Sequence, residues 1–215
     1  MKYSIHKRGE IAMKNILKIM LMMITIYTIA GSAVYAAEIP VSDQDQLITS
    51  RDWTEISNLQ DEMKKEEPDA TIDYDKALKV YVDCNLIKLQ TADTKKLTSA
   101  LESANYVWVI PFKMEKTYGM FTVAKGLPLR EEAKSVLTKA EQEEVKNHAG
   151  KWMITETAEH TVEPYYDTLL EKRETLSDCT RVVLVGSQPG MRQPVALGMD
   201  DETARIWISL GYQYP

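Results

Sequence analysis

The chain is poor in the residues that most often carry catalysis or bind metals. Its 215 residues include two cysteines, three histidines and two phenylalanines. Two cysteines exclude a disulfide-dense scaffold and a four-cysteine zinc site. Nine glycines and eight prolines exclude a collagen-like or low-complexity chain, and an apolar fraction of 44% is too high for disorder throughout. The composition is that of an ordinary globular domain.

Basic residues are also in the minority, with 26 Lys and Arg against 32 Asp and Glu, for a formal net charge of −6. Residues 1–36 hold five of the basic residues and one acid, which leaves 21 basic and 31 acidic residues, or −10, in the remainder. Phosphate backbones and anionic lipid surfaces repel an acidic protein. We therefore expect no nucleic-acid partner, and contact with a membrane only if the N-terminal segment is retained as an anchor.

The N-terminal segment has the pattern of a secretory signal peptide. Lys2, Lys7 and Arg8 precede an uncharged stretch that runs from residue 19 to residue 37, where small residues accumulate. Val34 and Ala36 stand at positions −3 and −1 of the expected cleavage site. The sequence predicts a signal peptide over residues 1–36 with cleavage after Ala36, and Met13 is an alternative start of translation.

An uncleaved membrane anchor is the alternative, because nineteen uncharged residues approach the ~20 that span a bilayer. Thr25, Thr28, Gly31 and Ser32 interrupt the apolar stretch and favour cleavage. In either case the basic residues stay inside, so the remainder is expected outside the cytoplasm. No asparagine begins an N-x-Ser/Thr acceptor, which is typical of a bacterial exported protein.

The remainder is predicted to be one α+β domain over residues 52–215, after an extended lead-in over residues 37–51. The clearest strand, 106–112, is apolar on both faces. Links at 113–117, 187–193 and 200–203 have hairpin character. We expect a largely antiparallel sheet of about six strands with four to five helices packed on it.

Helix boundaries are signalled at three places. Asp52 with Glu55 and Thr138 with Glu141 have the spacing of a capping box, and Pro164 favours the start of a helix over residues 164–176. Three tryptophans fall on proposed strands, which predicts a buried aromatic layer; they are Trp108, Trp152 and Trp207.

Candidate metal ligands are sparse, and we expect no cofactor. Glu156, His160 and Glu163 form one acidic cluster around a histidine, but on an extended strand Glu156 and His160 lie ~13 Å apart. A metal site there requires the chain to bend. Asp43 and Asp45 begin like a calcium loop, yet the next ligand positions are missing, so a turn or a cap is the expected role.

Cys84 and Cys179 are the only thiols. In an oxidising compartment they could form a disulfide that closes a long loop and contributes ~4–5 kcal/mol in the chain-entropy model. Two separate buried thiols are the alternative, because sequence does not show whether their Cα atoms come within ~7 Å.

No nucleophile, base and orienting group stand in a recognisable pattern, so the first hypothesis is an exported, non-enzymatic binding or interaction domain. Its partner would be a small molecule, a peptide or an envelope component. The predicted ligand-binding residues lie in one loop and near the C-terminus: Gln188, Met191, Arg192, Gln193, Tyr212 and Tyr214. The alternatives are an extracellular hydrolase that uses carboxylates, with or without His160, and a structural envelope-associated domain.

We expect the exported protein to begin at Ala37, because the small residues before that position suit a signal peptidase. Intact-mass spectrometry of the protein recovered from outside the cytoplasm measures this directly. A mass that still includes residues 13–36 would instead show an uncleaved anchor.

Overall fold

The computed structural model describes residues 39–84, 86–89, 91–160, 164–186 and 194–210. The predicted signal peptide and its cleavage site lie outside these ranges. No helix within them is long and apolar enough to cross a membrane. The strands are β1 (Thr71–Ile72), β2 (Leu78–Tyr81), β3 (Tyr106–Lys113), β4 (Tyr118–Lys125), β5 (Trp152–His160), β6 (Arg181–Val185), β7 (Val195–Met199) and β8 (Ala204–Ser209).

All eight described strands belong to one mixed sheet. Seven of them follow the order β5-β4-β3-β2-β6-β7-β8, and β1 pairs with the carboxyl end of β3. All neighbouring strands of the sheet pair antiparallel except β2 and β6, which pair parallel through Val80 with Leu184 and Tyr81 with Val185. The α+β class is confirmed, but the estimate of about six strands was too low. The additional strands are β1, which has two residues, and β2, which lies in an ambiguous pattern over residues 77–90.

The described helices lie before the first strand and between strands. They are α1 (Trp53–Ile56), α2 (Gln60–Glu66), α3 (Leu86–Leu89), α4 (Thr94–Glu102), α5 (Lys139–His148) and α6 (Tyr165–Glu171). The capping box of Thr138 and Glu141 is confirmed at the start of α5. The one expected at Asp52 is wrong, because that side chain makes no cap hydrogen bond. Helix α6 begins after Pro164 as predicted but ends at Glu171.

The apolar core lies on both faces of the sheet, and successive side chains of β2 point to one face and then to the other. Leu78 and Val80 join a cluster that α6 covers. Lys79 and Tyr81 point to the opposite face, because successive side chains of a strand alternate. That second face has two separate apolar clusters, one under residues 47–63 and one under α4. Between the part of this face under residues 47–63 and the part under α4, the sheet is open to solvent.

The tryptophans do not share one environment. Trp108 and Trp152 are buried in the cluster under residues 47–63, as expected of an aromatic layer. Trp207 on β8 is 45% exposed, so its predicted burial is wrong. Its strand is the last of the sheet and pairs on one side only, with β7.

Residues 39–51, where we expected an extended lead-in, pack closely on the sheet. Ile39 belongs to the cluster on the α6 face and Leu47 to a cluster on the opposite face. A 3-10 turn at Asp43–Asp45 places the Asp45 side chain inward. Gln46 forms a β-bridge with Leu78. The segment therefore reaches the central strand directly.

The two cysteines are buried at opposite ends of paired strands. Cys84 follows the carboxyl end of β2, whereas Cys179 precedes the amino end of β6, and these strands run parallel. At ~3.3 Å per residue, β6 alone spans ~13 Å between its ends, and the two cysteines lie beyond opposite ends of the pair and in different apolar clusters. The separation exceeds the ~7 Å between Cα atoms that a disulfide allows and favours the alternative of two separate thiols.

We expect the protein to show two thiols in denaturant without reductant. In the folded protein both should react slowly, because burial raises the pKa of the Cys84 and Cys179 thiols and lowers the thiolate fraction. A colorimetric thiol count before and after unfolding measures both quantities. Finding no thiol until a reductant is added would establish the bridge instead.

Candidate functional site

A cleft of about 430 Å³ opens on the second face of the sheet, between the part under residues 47–63 and the part under α4. Its floor is formed by Lys79, Tyr81 and Tyr106, from the central strands β2 and β3. One wall is the segment 43–51, and the other is the end of α4 with the residues that follow it, 101–104. We call this the Lys79 cleft, and its volume lies within the range usual for small-molecule sites.

Lys79 is the unusual residue of this cleft, because a lysine rarely lies within a core. It belongs to a central strand and is only 9% exposed. Its ammonium group lies 4.5 Å from the ring centre of Tyr106, 5.1 Å from that of Trp108 and 5.8 Å from that of Tyr81. Burial lowers the pKa of Lys79 from its usual value, and the nearby Asp45 carboxylate partly opposes this effect.

Asp45 lies below the cleft and is 2% exposed. Its carboxylate accepts hydrogen bonds from the Tyr81 hydroxyl at 2.7 Å and the Ser42 hydroxyl at 2.6 Å. The Arg181 guanidinium donates to one of its oxygens at 2.9 and 3.3 Å. The carboxylate thus has its own cation and joins residues 42–45 to β2 and β6.

Asp52 is a second buried carboxylate on the same side of the sheet. It accepts hydrogen bonds from the Tyr106 hydroxyl at 2.8 Å and the Trp108 indole nitrogen at 3.1 Å. The guanidinium of Arg51 stands 3.9 Å from its other oxygen and is otherwise exposed. These contacts explain why Asp52 does not cap α1: its side chain holds two aromatic residues of β3 instead.

Lys79 lies within ion-pair distance of Asp45 and over aromatic rings, but it makes no hydrogen bond to a described residue. The nearest carboxylate oxygen, on Asp45, is 3.9 Å from its Nζ, beyond hydrogen-bond distance. Among the residues the structure describes, none accepts a hydrogen bond from this ammonium. Arg51 stands beside Asp52, and Lys79 shares the Asp45 carboxylate with Arg181, which lies closer to it.

The tyrosines of the cluster act as neutral donors. Burial, followed by the contact with Asp52, raises the pKa of Tyr106 to about 12. Burial and the charge of Asp45 raise the pKa of Tyr81 further. Both hydroxyls therefore stay protonated at neutral pH, and both donate to a carboxylate.

A second cleft of about 470 Å³ lies on the other side of Tyr106. It shares Ala104 and Tyr106 with the Lys79 cleft and is lined further by residues 125–128 and 149–152. We call it the Trp152 cleft. The indole nitrogen of Trp152 is buried without a hydrogen-bond acceptor in the described ranges. Lys125 stands over the ring of Trp152, 5.5 Å from its centre.

The ligand-binding residues predicted from sequence lie outside the described residues. They are Gln188, Met191, Arg192, Gln193, Tyr212 and Tyr214. The prediction thus stays untested, and the clefts described above are a different candidate.

The predicted metal ligands are only partly described. Glu156 is exposed on β5, an edge strand, and Glu163 lies outside the described ranges. The backbone of β5 continues to His160, which pairs with Tyr118, and the His160 side chain is not described. Within the described part of the chain, no group of three or more metal-binding side chains occurs.

Comparison with known proteins finds no matching family model, no matching curated protein and no matching solved structure. The assignment of the site therefore depends on its own geometry. Sequence reasoning missed Lys79, although one signal was present: a lysine between Leu78 and Val80 in an otherwise apolar strand. It also missed that Asp45 and Asp52 would meet β2 and β3, because these contacts join segments distant in sequence.

We expect Asp45→Asn to lower the free energy of unfolding by about 2–4 kcal/mol, because it leaves Arg181 and Lys79 without a buried counter-charge. Asp43→Asn is the matched control: this acid lies in the same 3-10 turn but is exposed, and its removal should change stability by less than ~0.5 kcal/mol. Urea unfolding of the two variants and the parent compares them. Equal stabilities of the variants would contradict the role given to Asp45.

Proposed function

We propose that this chain is an exported binding domain for a small anionic ligand, and that Lys79 anchors the ligand. The observation that carries the proposal is the position of Lys79: this 9% exposed lysine lines a cleft, and its ammonium, 3.9 Å from the Asp45 carboxylate, has no hydrogen-bond acceptor among the described residues. Burying an ammonium group is costly unless it is paired. A carboxylate or phosphate group of a ligand would supply both the negative charge and the acceptors.

The neighbouring carboxylates support an anionic rather than a cationic ligand. Asp45 and Asp52 already accept hydrogen bonds from tyrosine hydroxyls, and each lies near a guanidinium group. Neither of these carboxylates needs a further cation. The ammonium of Lys79 shares Asp45 with Arg181 and stands farther from it, so Lys79 is the cation that an anionic ligand in the cleft would pair with.

The rim of the cleft carries charges of both signs. Arg51 adds a second cation beside Tyr106, whereas Asp43 and Glu102 are acidic. All three side chains are exposed, so water and salt screen them. Lys79 lies in a less polar environment, where a charge acts more strongly. Its attraction for an anion should therefore exceed the repulsion of the two rim acids.

The buried carboxylates are not arranged for hydrolysis, and the carboxylates that line the cleft, Asp43 and Glu102, are exposed on opposite walls. A hydrolase of that kind needs a carboxylate that can reach the substrate as an acid, base or nucleophile. The two buried carboxylates beside this cleft are instead engaged with aromatic and guanidinium donors of the protein itself. Their geometry is suited to positioning Tyr81, Tyr106 and Trp108 around Lys79.

We expect sodium acetate and inorganic phosphate to bind weakly at neutral pH, with dissociation constants of about 1 mM for the better probe. Lys79→Met removes the ammonium but keeps an unbranched side chain, and binding should be lost. Lys113→Met is the matched control. Lys113 lies on β3, the strand next to that of Lys79, and its ammonium also stands over a tyrosine ring, but Lys113 is exposed. Isothermal titration calorimetry compares the three proteins.

The pH dependence provides a further check of the same proposal. An anion requires protonated Lys79, so its affinity should fall as pH rises through the lowered pKa of this group, below the ~10.4 usual for lysine. Tyr81 and Tyr106 remain neutral over this range because their pKa values are raised, and Arg51 remains charged because its pKa is raised as well. Binding that survives in Lys79→Met, or that is equally lost in Lys113→Met, would contradict the proposal.

A further inference from the structure

We infer that the ligand is amphipathic, with an anionic head at Lys79 and an apolar body of about 10 Å that crosses Tyr106 into the Trp152 cleft. This inference depends on the proposed function for its anionic head. It adds the apolar body and assigns the second cleft to the same ligand. The juxtaposition of the two clefts on either side of one tyrosine carries it.

Strand register places the two clefts in line. Tyr81 pairs with Tyr106 across β2 and β3, and Lys125 pairs with Trp152 across β4 and β5. The ring of Tyr106 is 6.2 Å from that of Tyr81 and 5.8 Å from that of Trp152. These aromatic residues form a row across the sheet, and Tyr106 is its middle member.

Two distances set the length of the ligand. The Lys79 ammonium lies 4.5 Å from the centre of the Tyr106 ring, and the Trp152 ring centre lies 5.8 Å beyond that point. Their sum gives an upper limit of about 10 Å between the ammonium and the Trp152 ring. A body of this length, bound at one end to Lys79, reaches the second cleft.

The two clefts differ in chemistry as the two ends of an amphipathic molecule do. The Lys79 cleft is walled by acidic, amide, hydroxyl and guanidinium side chains. The Trp152 cleft is lined mainly by apolar side chains, with Lys125 and Asn105 as its polar members; the apolar ones include Leu127, Pro128, Ala149 and Trp152. Leu127 is 46% exposed, so a ligand body lying against it would remove apolar surface from water.

Three probes separate the head from the body: acetate has the head alone, 1-octanol the body alone, and octanoate both. We expect octanoate to bind the full protein at least about tenfold more tightly than acetate, because both contacts form at once. Octanol should bind more weakly than octanoate, since it lacks the charge that pairs with Lys79. Calorimetric titration at neutral pH gives the three affinities.

Leu127→Asp tests the second cleft, because it places a charge where the body would lie. It should reduce the affinity for octanoate to nearly that for acetate and leave acetate binding unchanged. Val136→Asp is the matched control, since Val136 is 79% exposed and lines neither cleft. Both positions are exposed, so neither change should prevent folding.

The outcomes distinguish this inference from the proposed function. Acetate binding that depends on Lys79, without any gain for octanoate, would overturn the amphipathic ligand and leave the anion site standing. Octanoate binding that Lys79→Met does not weaken would overturn the anionic head and with it both claims. An octanoate gain that Leu127→Asp leaves intact would overturn the assignment of the body to the Trp152 cleft.

Discussion

The hydrogen bonds of the buried Asp45 carboxylate fix how residues 42–45 pack on the central strands of the sheet. This carboxylate joins the 3-10 turn at 43–45 to Tyr81 on β2 and to Arg181 on β6. These two strands form the parallel pair between the antiparallel halves of the sheet. A single buried acid thus holds residues 42–45 over the junction of the two halves of the sheet, and the same contact shapes one wall of the Lys79 cleft.

The placement of Lys79 beside this acid has a cost in stability. Burial favours the neutral amine, so the folded protein binds the Lys79 proton less tightly than the unfolded chain does. The cost is present at neutral pH and disappears as pH rises from the lowered pKa towards the usual lysine value.

Much of the fold could be predicted because its signals are local. The strand at 106–112, the turn at 113–117 and the capping box at Thr138 each depend on neighbouring residues, and the structure has all three. The number of strands was underestimated, because β1 and β2 are too short to show the alternation of apolar and polar residues that is typical of a strand. The expected cap at Asp52 failed because two aromatic residues of β3, more than fifty positions away, bind that carboxylate.

The sequence by itself determined the α+β class, most of the strands and the acidic character of the chain, because composition, alternation and capping are properties of adjacent residues. Only the tertiary structure decided the site. Lys79, Asp45 and Arg181 are separated by 34 to 136 positions and meet because β2 pairs parallel with β6 and residues 42–45 contact both strands. Such long-range pairing leaves no local pattern, so neither the cleft nor the surroundings of Lys79 could be predicted from the sequence.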